Sequence, residues 1–369
     1  MNFSRKLKIL HVITTIERGG AENQLLVLVR HQISMGNQVA VAYLKGKPEL
    51  ESALQSAGAK IYFLEGSFGH KIVHLINLLK KNFDIAHAHL PRSELLLALA
   101  KIISRNSIPL VASRHNSESF FPKAPRPIPQ ILSIITLSKY VSVIFISNAV
   151  QDFLSRAGEI PKSINREIIY YGYDEKFGLT VDNSQNAQRE FCNYLFVGRL
   201  TAQKNLGVLL EAFRMALKQN PNYQLNIYGE GELESKLKSL VEDIPYSIFW
   251  HGKSAEIYKK MLTSSCLILP SKYEGFGLVL LEAMQSELPI LAARNSAIPE
   301  VLGQNHPGLF NTFDSDSLSK LILRVQEPAF REELLLHQSK RLKMFEPAKM
   351  TTLIQLIYER ILNGMNRRL

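Results

Sequence analysis

Cysteine is nearly missing from this 369-residue chain, which carries only Cys192 and Cys266. Two thiols cannot build a disulfide framework, which argues for a reducing, cytosolic setting over secretion. Acidic residues are also in short supply. Against 44 Lys and Arg stand 33 Asp and Glu, a formal charge of +11. Long apolar runs are absent too. The most apolar stretch, residues 128–150, is broken by Pro129, Gln130, Lys139 and several serines. A spanning helix needs about 20 nearly uninterrupted apolar residues. The stretch therefore reads as a buried helix followed by a strand, and any membrane contact would be peripheral. The first eight residues are polar and basic, and the apolar run from Ile9 is broken at Thr14, Thr15 and Glu17. No secretory signal is expected. Zinc-finger spacing and an RNA-binding aromatic signature are both lacking, which argues against a nucleic-acid binder.

What is present is a globular chain, 46% hydrophobic and long enough for two domains. The charge is uneven. Residues 1–173 hold 21 Lys and Arg against 11 Asp and Glu, while residues 174–369 hold 23 against 22. A basic half joined to a neutral half suggests two tasks, one of them facing something anionic.

Short apolar runs alternate with helical patterns. Strands are expected at residues 7–13, 38–44, 60–64, 84–90, 110–114, 142–147 and 167–171. Residues 21–34 place Leu25, Leu28, Val29 and Ile33 on one helical face. Runs with little internal alternation suit parallel sheets covered on both sides. Residues 174–190 are polar and aperiodic, as a linker would be. Strands then resume at 194–197, 225–228, 247–250, 266–269 and 289–292. The expected fold is α/β, with two doubly wound, Rossmann-like domains facing across a cleft. Ligands of such sheets bind beyond the carboxyl ends of the strands, so motifs there carry the functional reading.

Gly19-Gly20 follows the first strand and opens a helix, where free N–H groups suit an anion. It is neither a dinucleotide fingerprint nor a P-loop, and a plain tight turn also explains it. His115 follows the strand 110–114, where a histidine can donate a hydrogen bond or shuttle a proton near neutral pH. A surface-loop histidine is the plainer alternative. His87 and His89 alternate near another strand end. No Asp, Glu or Cys cluster accompanies them, so a structural role is expected. Arg199 and Lys204, five residues apart beside a Gly198 turn, make a candidate diphosphate clamp, with a solvated basic loop as the alternative. Residues 269–282, reading LPSKYEGFGLVLLE, are the most informative. Glu274 stands at a loop tip and Glu282 one turn into a helix, with backbone N–H groups near Gly277 and Leu278 at the helix start. The alternatives are a helix cap for Glu274 and a solvated helix face for Glu282. Asp314-Ser315-Asp316 looks like a metal-binding D-x-D but precedes a helical pattern, so capping explains it better.

The Glu274-x7-Glu282 arrangement with Gly275-Phe276-Gly277-Leu278 resembles the retaining GT-B glycosyltransferases of family 4. Agreement extends to Gly19-Gly20-Ala21-Glu22, Ile146-Ser147, Gly172, Asp174, Gly198-Arg199-Leu200 and Lys204-Asn205. It includes Ile227-Tyr228-Gly229-Glu230-Gly231, Pro270-Ser271 and Pro299-Glu300, and so spans nearly the whole chain. The resemblance implies an acceptor domain over residues 1–175, a nucleotide-sugar domain over 176–347, and a helix over 348–369 that crosses back to the first domain. It implies that Glu282 holds the donor ribose. Arg199 and Lys204 would neutralise the leaving diphosphate. Glu274 and the backbone of Gly275, Phe276, Gly277 and Leu278 would hold the donor sugar. His115 would bind the donor sugar or the acceptor, and Gly20 would let the acceptor domain approach the diphosphate.

The implied reaction moves a sugar, with retention, from a nucleotide donor (UDP-linked by expectation) to a lipid-linked saccharide or surface polysaccharide. No metal or other cofactor is expected. The cytoplasm is the expected location, with peripheral attachment to the inner membrane face. The loop 120–126, mixing Phe120, Phe121, Lys123 and Arg126, is the expected interfacial element, with an ordinary Pro-rich loop as the alternative. A GT-B hydrolase or epimerase is the alternative. Three departures stand out: Tyr171 where the family often has Asn, Glu287 where a Gly is frequent, and Ser296-Ala297 where Gly-rich sequence is common.

Overall fold

The computed structural model describes residues 5–122, 124–174, 192–254 and 256–366. All but the first residue of the expected linker fall outside these, as does Lys123 of the expected interfacial loop. The chain divides into two compact units. Unit 1 comprises Met1–Gly172 and Glu346–Leu369, and unit 2 is Tyr173–Phe345.

Unit 1 alternates β1 (Lys8–Ile13), α1 (Gly20–Ser34), β2 (Gln38–Tyr43), α2 (Glu51–Ser56), β3 (Lys60–Phe63), α3 (Phe68–Leu79), β4 (Ile85–His89), α4 (Pro91–Ser104), β5 (Leu110–Arg114), α5 (Ile128–Leu137), β6 (Ser142–Phe145), α6 (Asn148–Arg156) and β7 (Asn165–Ile168). Its sheet is parallel, in the order β3-β2-β1-β4-β5-β6-β7. The central strands β4, β5 and β6 are buried along their whole length, His87, His89, Ser113 and Arg114 included. The reversal of strand order at β1/β4 is where such a sheet opens a crevice at its carboxyl edge.

Unit 2 repeats the plan with β8 (Asn193–Val197), α7 (Leu206–Leu217), β9 (Gln224–Tyr228), α8 (Glu234–Ser239), β10 (Ile248–Gly252), α9 (Ile257–Thr263), β11 (Cys266–Leu269), α10 (Leu278–Gln285), β12 (Ile290–Ala293), α11 (Ile298–Leu302), β13 (Leu309–Phe310), α12 (Ser315–Arg324) and α13 (Pro328–Leu342). The order is β10-β9-β8-β11-β12-β13. Asp314 caps α12, its side chain accepting from the Ser317 N–H at 2.8 Å. The final helix α14 (Pro347–Asn366) belongs to unit 1 and packs on α1. Asn37 donates to Gln355 at 3.1 Å, and Arg360 pairs with Glu167. Gly172 lies so close to Pro347 that a Cβ there would sit 2.5 Å from its Cα.

Three expectations need correction. The last strand of unit 1 lies at Asn165–Ile168, ahead of the expected 167–171, because Phe145 of β6 pairs with Ile168 and the chain then leaves the sheet. The two-residue β13 is too short to leave a pattern in the sequence. Residues 128–150 do form a helix and a strand, but α5 is not buried. Ile128, Ile131, Ile134 and Ile135 face outward while Ser133 and Thr136 face the core. Among the described residues, no helix is long and apolar enough to cross a membrane.

Candidate functional site

The carboxyl ends of β8 and β11 gather the residues picked out in unit 2. After β8 the backbone of Gly198–Leu200 runs against that of Gly229–Gly231. The Gly198 N–H donates to the Tyr228 carbonyl at 3.0 Å, and the Leu200 N–H to the Glu230 carbonyl at 2.9 Å. Side chains cannot fit there. A Cβ on Gly229 would lie 1.9 Å from the Gly198 oxygen, and one on Gly231 would lie 2.3 Å from the Leu200 oxygen. This close approach places Arg199 at the strand end, exposed, with its Nη2 at 3.5 Å from Gln203. Asn205, in the left-handed region at φ 54°, ties the following turn to the Pro270 and Thr312 carbonyls.

Lys204 Nζ reaches Glu274 Oε1 at 2.6 Å, and both side chains are largely buried. Glu274 is therefore not at an exposed loop tip, nor a helix cap. Its loop folds back on β8. The Lys272 N–H donates to the Gln203 carbonyl at 2.8 Å, and the Ser296 hydroxyl donates to the Glu274 carbonyl at 2.8 Å. Phe276 is 2% exposed and meets Phe345 edge-on. Only its backbone is placed to serve a ligand. Gly277, at φ 87°, turns the chain into α10, whose first residue is Leu278. Glu282 lies one turn into that helix and is half-buried. Burial, with the Asp174 carboxylate second, pushes its pKa up to about 7.

In unit 1, Gly20 opens α1 and is exposed. A Cβ on the preceding Gly19 would meet the Glu22 carboxylate at 2.5 Å. The carboxylate of Glu22 thus already lies over this helix start, where a negative charge is favoured. His115 follows β5 and helps line a cavity of about 230 Å³ with Thr14, Leu90, Arg92, Phe120 and Phe121. Both its nitrogens are engaged. Nε2 lies 3.1 Å from His89 Nδ1, and Nδ1 lies 2.5 Å from the Tyr171 hydroxyl. The chain continues from His89 Nε2 to His11 Nδ1 at 2.9 Å, and from His11 Nε2 to Gln32 Oε1 at 2.8 Å. One proton arrangement satisfies every link. Tyr171 donates to His115, His115 to His89, His89 to His11, and His11 to the Gln32 carbonyl. Burial lowers the His11 pKa to about 4. Burial, with Arg114 second, takes His115 to about 3. With its pKa lowered by burial and both nitrogens engaged, His115 is held neutral near pH 7, which disfavours the proton-shuttle role.

His87 and His89 are buried, and His11 brings its ring to within 4.8 Å, completing a three-histidine group that only the β1–β4 pairing reveals. His87 Nδ1 is 2.5 Å from the Tyr358 hydroxyl and Nε2 is 2.7 Å from Ser113 Oγ. Every ring nitrogen of the trio therefore has a protein partner already. A metal could enter only by breaking these bonds.

Two family descriptions match the chain. Residues 18–177 match Glycosyltransferase Family 4, and residues 182–335 match Glycosyl transferases group 1. The chain belongs to the family 4, group 1 glycosyltransferases. CapH, a capsular polysaccharide biosynthesis glycosyltransferase of Staphylococcus aureus, is 24% identical over 307 residues, covering 80% of this glycosyltransferase and 83% of CapH. An uncharacterised glycosyltransferase of Methanocaldococcus jannaschii, MJ1178, is 24% identical over 314 residues, 79% of this chain and 81% of its own. The crystal structure of Anabaena HepE in complex with UDP-glucose matches the fold with a TM-score of 0.78. It covers 96% of this chain and 100% of HepE at 18% identity. The fold is GT-B, two Rossmann-like domains.

Within unit 2 of this glycosyltransferase, Lys204 and Glu274 come together, beside Arg199 and the loop of Gly275, Gly277 and Leu278. Sequence reading missed Gln203 and gave Asn205 and Ser296 no part in fixing that loop. It also missed His11 and Gln32, and noted Tyr171 only as a departure, not as the partner that fixes His115. The positive φ values of Glu287 (49°) and Ser296 (53°) explain why glycine is common in the family at both positions.

Proposed function

We propose that this glycosyltransferase transfers a sugar, with retention of anomeric configuration, from a UDP-sugar to a lipid-linked saccharide or surface-polysaccharide acceptor. The acceptor would lie at the cytosolic face of a membrane. The observation that carries the reading is the Lys204–Glu274 ion pair at 2.6 Å, beside exposed Arg199 and the start of α10. These groups suit a leaving diphosphate and the sugar attached to it. The bond from the anomeric carbon to the β-phosphate oxygen breaks. A bond to the acceptor oxygen forms on the same face, and the acceptor proton passes to the departing phosphate. Arg199, Lys204 and the backbone N–H groups at the start of α10 stabilise the charge that develops. Glu282 accepts from the ribose hydroxyls, and Glu274, held by Lys204 and Ser296, presents its loop to the sugar. Neutral His115, its nitrogens held by His89 and Tyr171, forms part of the cavity wall where the sugar or the acceptor would lie. The description of CapH as a capsular polysaccharide biosynthesis glycosyltransferase supports the polysaccharide acceptor, and the UDP-glucose bound to HepE supports the UDP-sugar donor.

A donor panel with an acceptor preparation, read by NMR of the anomeric centre of the product, tests the reading. An inverted product would overturn retention. Free sugar released at an undiminished rate without acceptor would identify a hydrolase. Arg199→Ala is expected to lower turnover by roughly 100-fold or more, the scale of one lost charge-stabilising donor. Activity is expected to survive EDTA, because these cations and N–H groups carry the charge.

A further inference from the structure

We propose that the outward face of α5, with the cations around it, is a docking surface for an anionic lipid bilayer. The helix turns its isoleucines outward and buries Ser133 and Thr136 beside Pro129 and Leu137. Ile128, Ile131, Ile134 and Ile135 are 46%, 50%, 40% and 56% exposed and share one side at helical spacing. Its core side carries polar groups. The Ser133 hydroxyl donates to the Glu159 carbonyl at 2.8 Å and accepts from Arg114 Nη2 at 3.0 Å. These bonds fix the rotation of the helix and commit the isoleucines to the outside. An apolar face of this kind marks a binding surface. The neighbouring α4 adds Ile102 and Ile103 at its carboxyl end, 48% and 60% exposed.

Charge identifies the occupant. From residue 95 to residue 151 the chain holds six Lys and Arg and one acid, Glu118. Arg105, Arg126 and Lys139 on this stretch are exposed. Packing this face on a second copy would set like charges together. Anionic headgroups complement the cations while the isoleucines enter the acyl boundary. The loop from β5 to α5 also walls the cavity beside His115. A bilayer on α5 therefore lies one loop away from it. The choice of a bilayer extends the membrane-borne acceptor proposed above, whereas the face itself stands on the structure alone.

Flotation of the full chain with phosphatidylcholine vesicles, with and without 30% phosphatidylglycerol (roughly a physiological anionic fraction), tests this. Recovery is expected with the anionic vesicles only and should fall as salt rises. Ile131→Glu with Ile135→Glu should abolish it. Arg126→Gln and Lys139→Gln should each lower the partition coefficient about fivefold. The proposal is overturned by equal recovery on both vesicle types, by no recovery, or by wild-type recovery of the isoleucine double variant. It is overturned equally if light scattering shows a dimer that this double variant converts to monomer. Thermal stabilisation by UDP, measured on the same samples, reports separately on the donor reading and on folding.

Discussion

Lys204 and Glu274 illustrate how a single contact changes the meaning of two motif residues. Each was visible in the sequence as a charged group beside glycines. Their pairing was not, because they lie 70 positions apart and meet only through the adjacency of β8 and β11. Removing one partner leaves the other charge largely buried and uncompensated. Lys204→Ala should destabilise unit 2 by about 3 kcal/mol. The double change Lys204→Met with Glu274→Leu should recover much of that while remaining inactive, a contrast that denaturant unfolding and turnover assays would reveal. Glu287 offers the opposite case. It holds φ 49° at the end of α10, so Glu287→Gly should stabilise by about 1 kcal/mol, seen as a raised unfolding midpoint. Glu282 supplies a pH test. Its folded pKa of about 7 exceeds its unfolded value of 4.5. The unfolded chain therefore loses this proton first, and the group opposes folding progressively from pH 4.5 to about 7. Glu282→Gln should match wild-type stability near pH 4 and exceed it above pH 7. Nucleotide affinity of the wild type should rise through pH 7, as the carboxylate that accepts from ribose forms, and calorimetry should find it flat in the Gln variant.

Among the elements, the short buried strands were the most legible, β11 as an unbroken apolar run and β5 as an apolar run closed by Ser113 and Arg114. β5 and β11 lie where the pattern puts them. Edge strands were less so. β7 is partly exposed and begins earlier than its apolar residues, and β13 is two residues long. α5 misled for a physical reason. Apolar periodicity tells which residues share a face, not whether that face points to the core, and here Ser133 and Thr136 share the inner side with Pro129 and Leu137. The glycines after β9 act as part of an element too, since they allow two strand ends to meet backbone to backbone. Gly229→Ala must push the Gly198 carbonyl aside, so unfolding of unit 2 should shift well below wild type and the Arg199 strand end should lose its geometry. Gly207→Ala, with open space around its Cβ, serves as the control.

For the molecule as a whole, acid should separate the two units. In unit 1, His11, His87, His89 and His115 all have pKa values lowered chiefly by burial. Above their unfolded value of 6.5, both states are neutral and nothing is lost. Below it the unfolded chain takes up protons that the fold refuses, so stability falls steadily towards pH 4. Glu94, pushed up by burial against the pull of Arg114, offsets part of this. In unit 2, two histidines are lowered, both chiefly by burial: His306, to about 4, and the more exposed His251. Scanning calorimetry between pH 7 and 5 should show unit 1 melting progressively earlier than unit 2. UDP at a large excess over its dissociation constant should raise the unit 2 transition, by the mass action of a ligand that binds only the folded state.

The order of segments along the chain carries one more consequence. Unit 1 is completed by Glu346–Leu369, whereas unit 2 is an uninterrupted stretch inserted before them. On the ribosome, unit 2 can finish folding while the β1–α1 region still waits for the helix that covers it. His87 receives its Tyr358 partner only after all of unit 2 has been made. Assembly of unit 1 therefore follows synthesis of unit 2. A chain clipped after Phe345 should retain a folded nucleotide half and lose the other, so that carboxyl-terminal proteolysis would act as an off-switch for the enzyme.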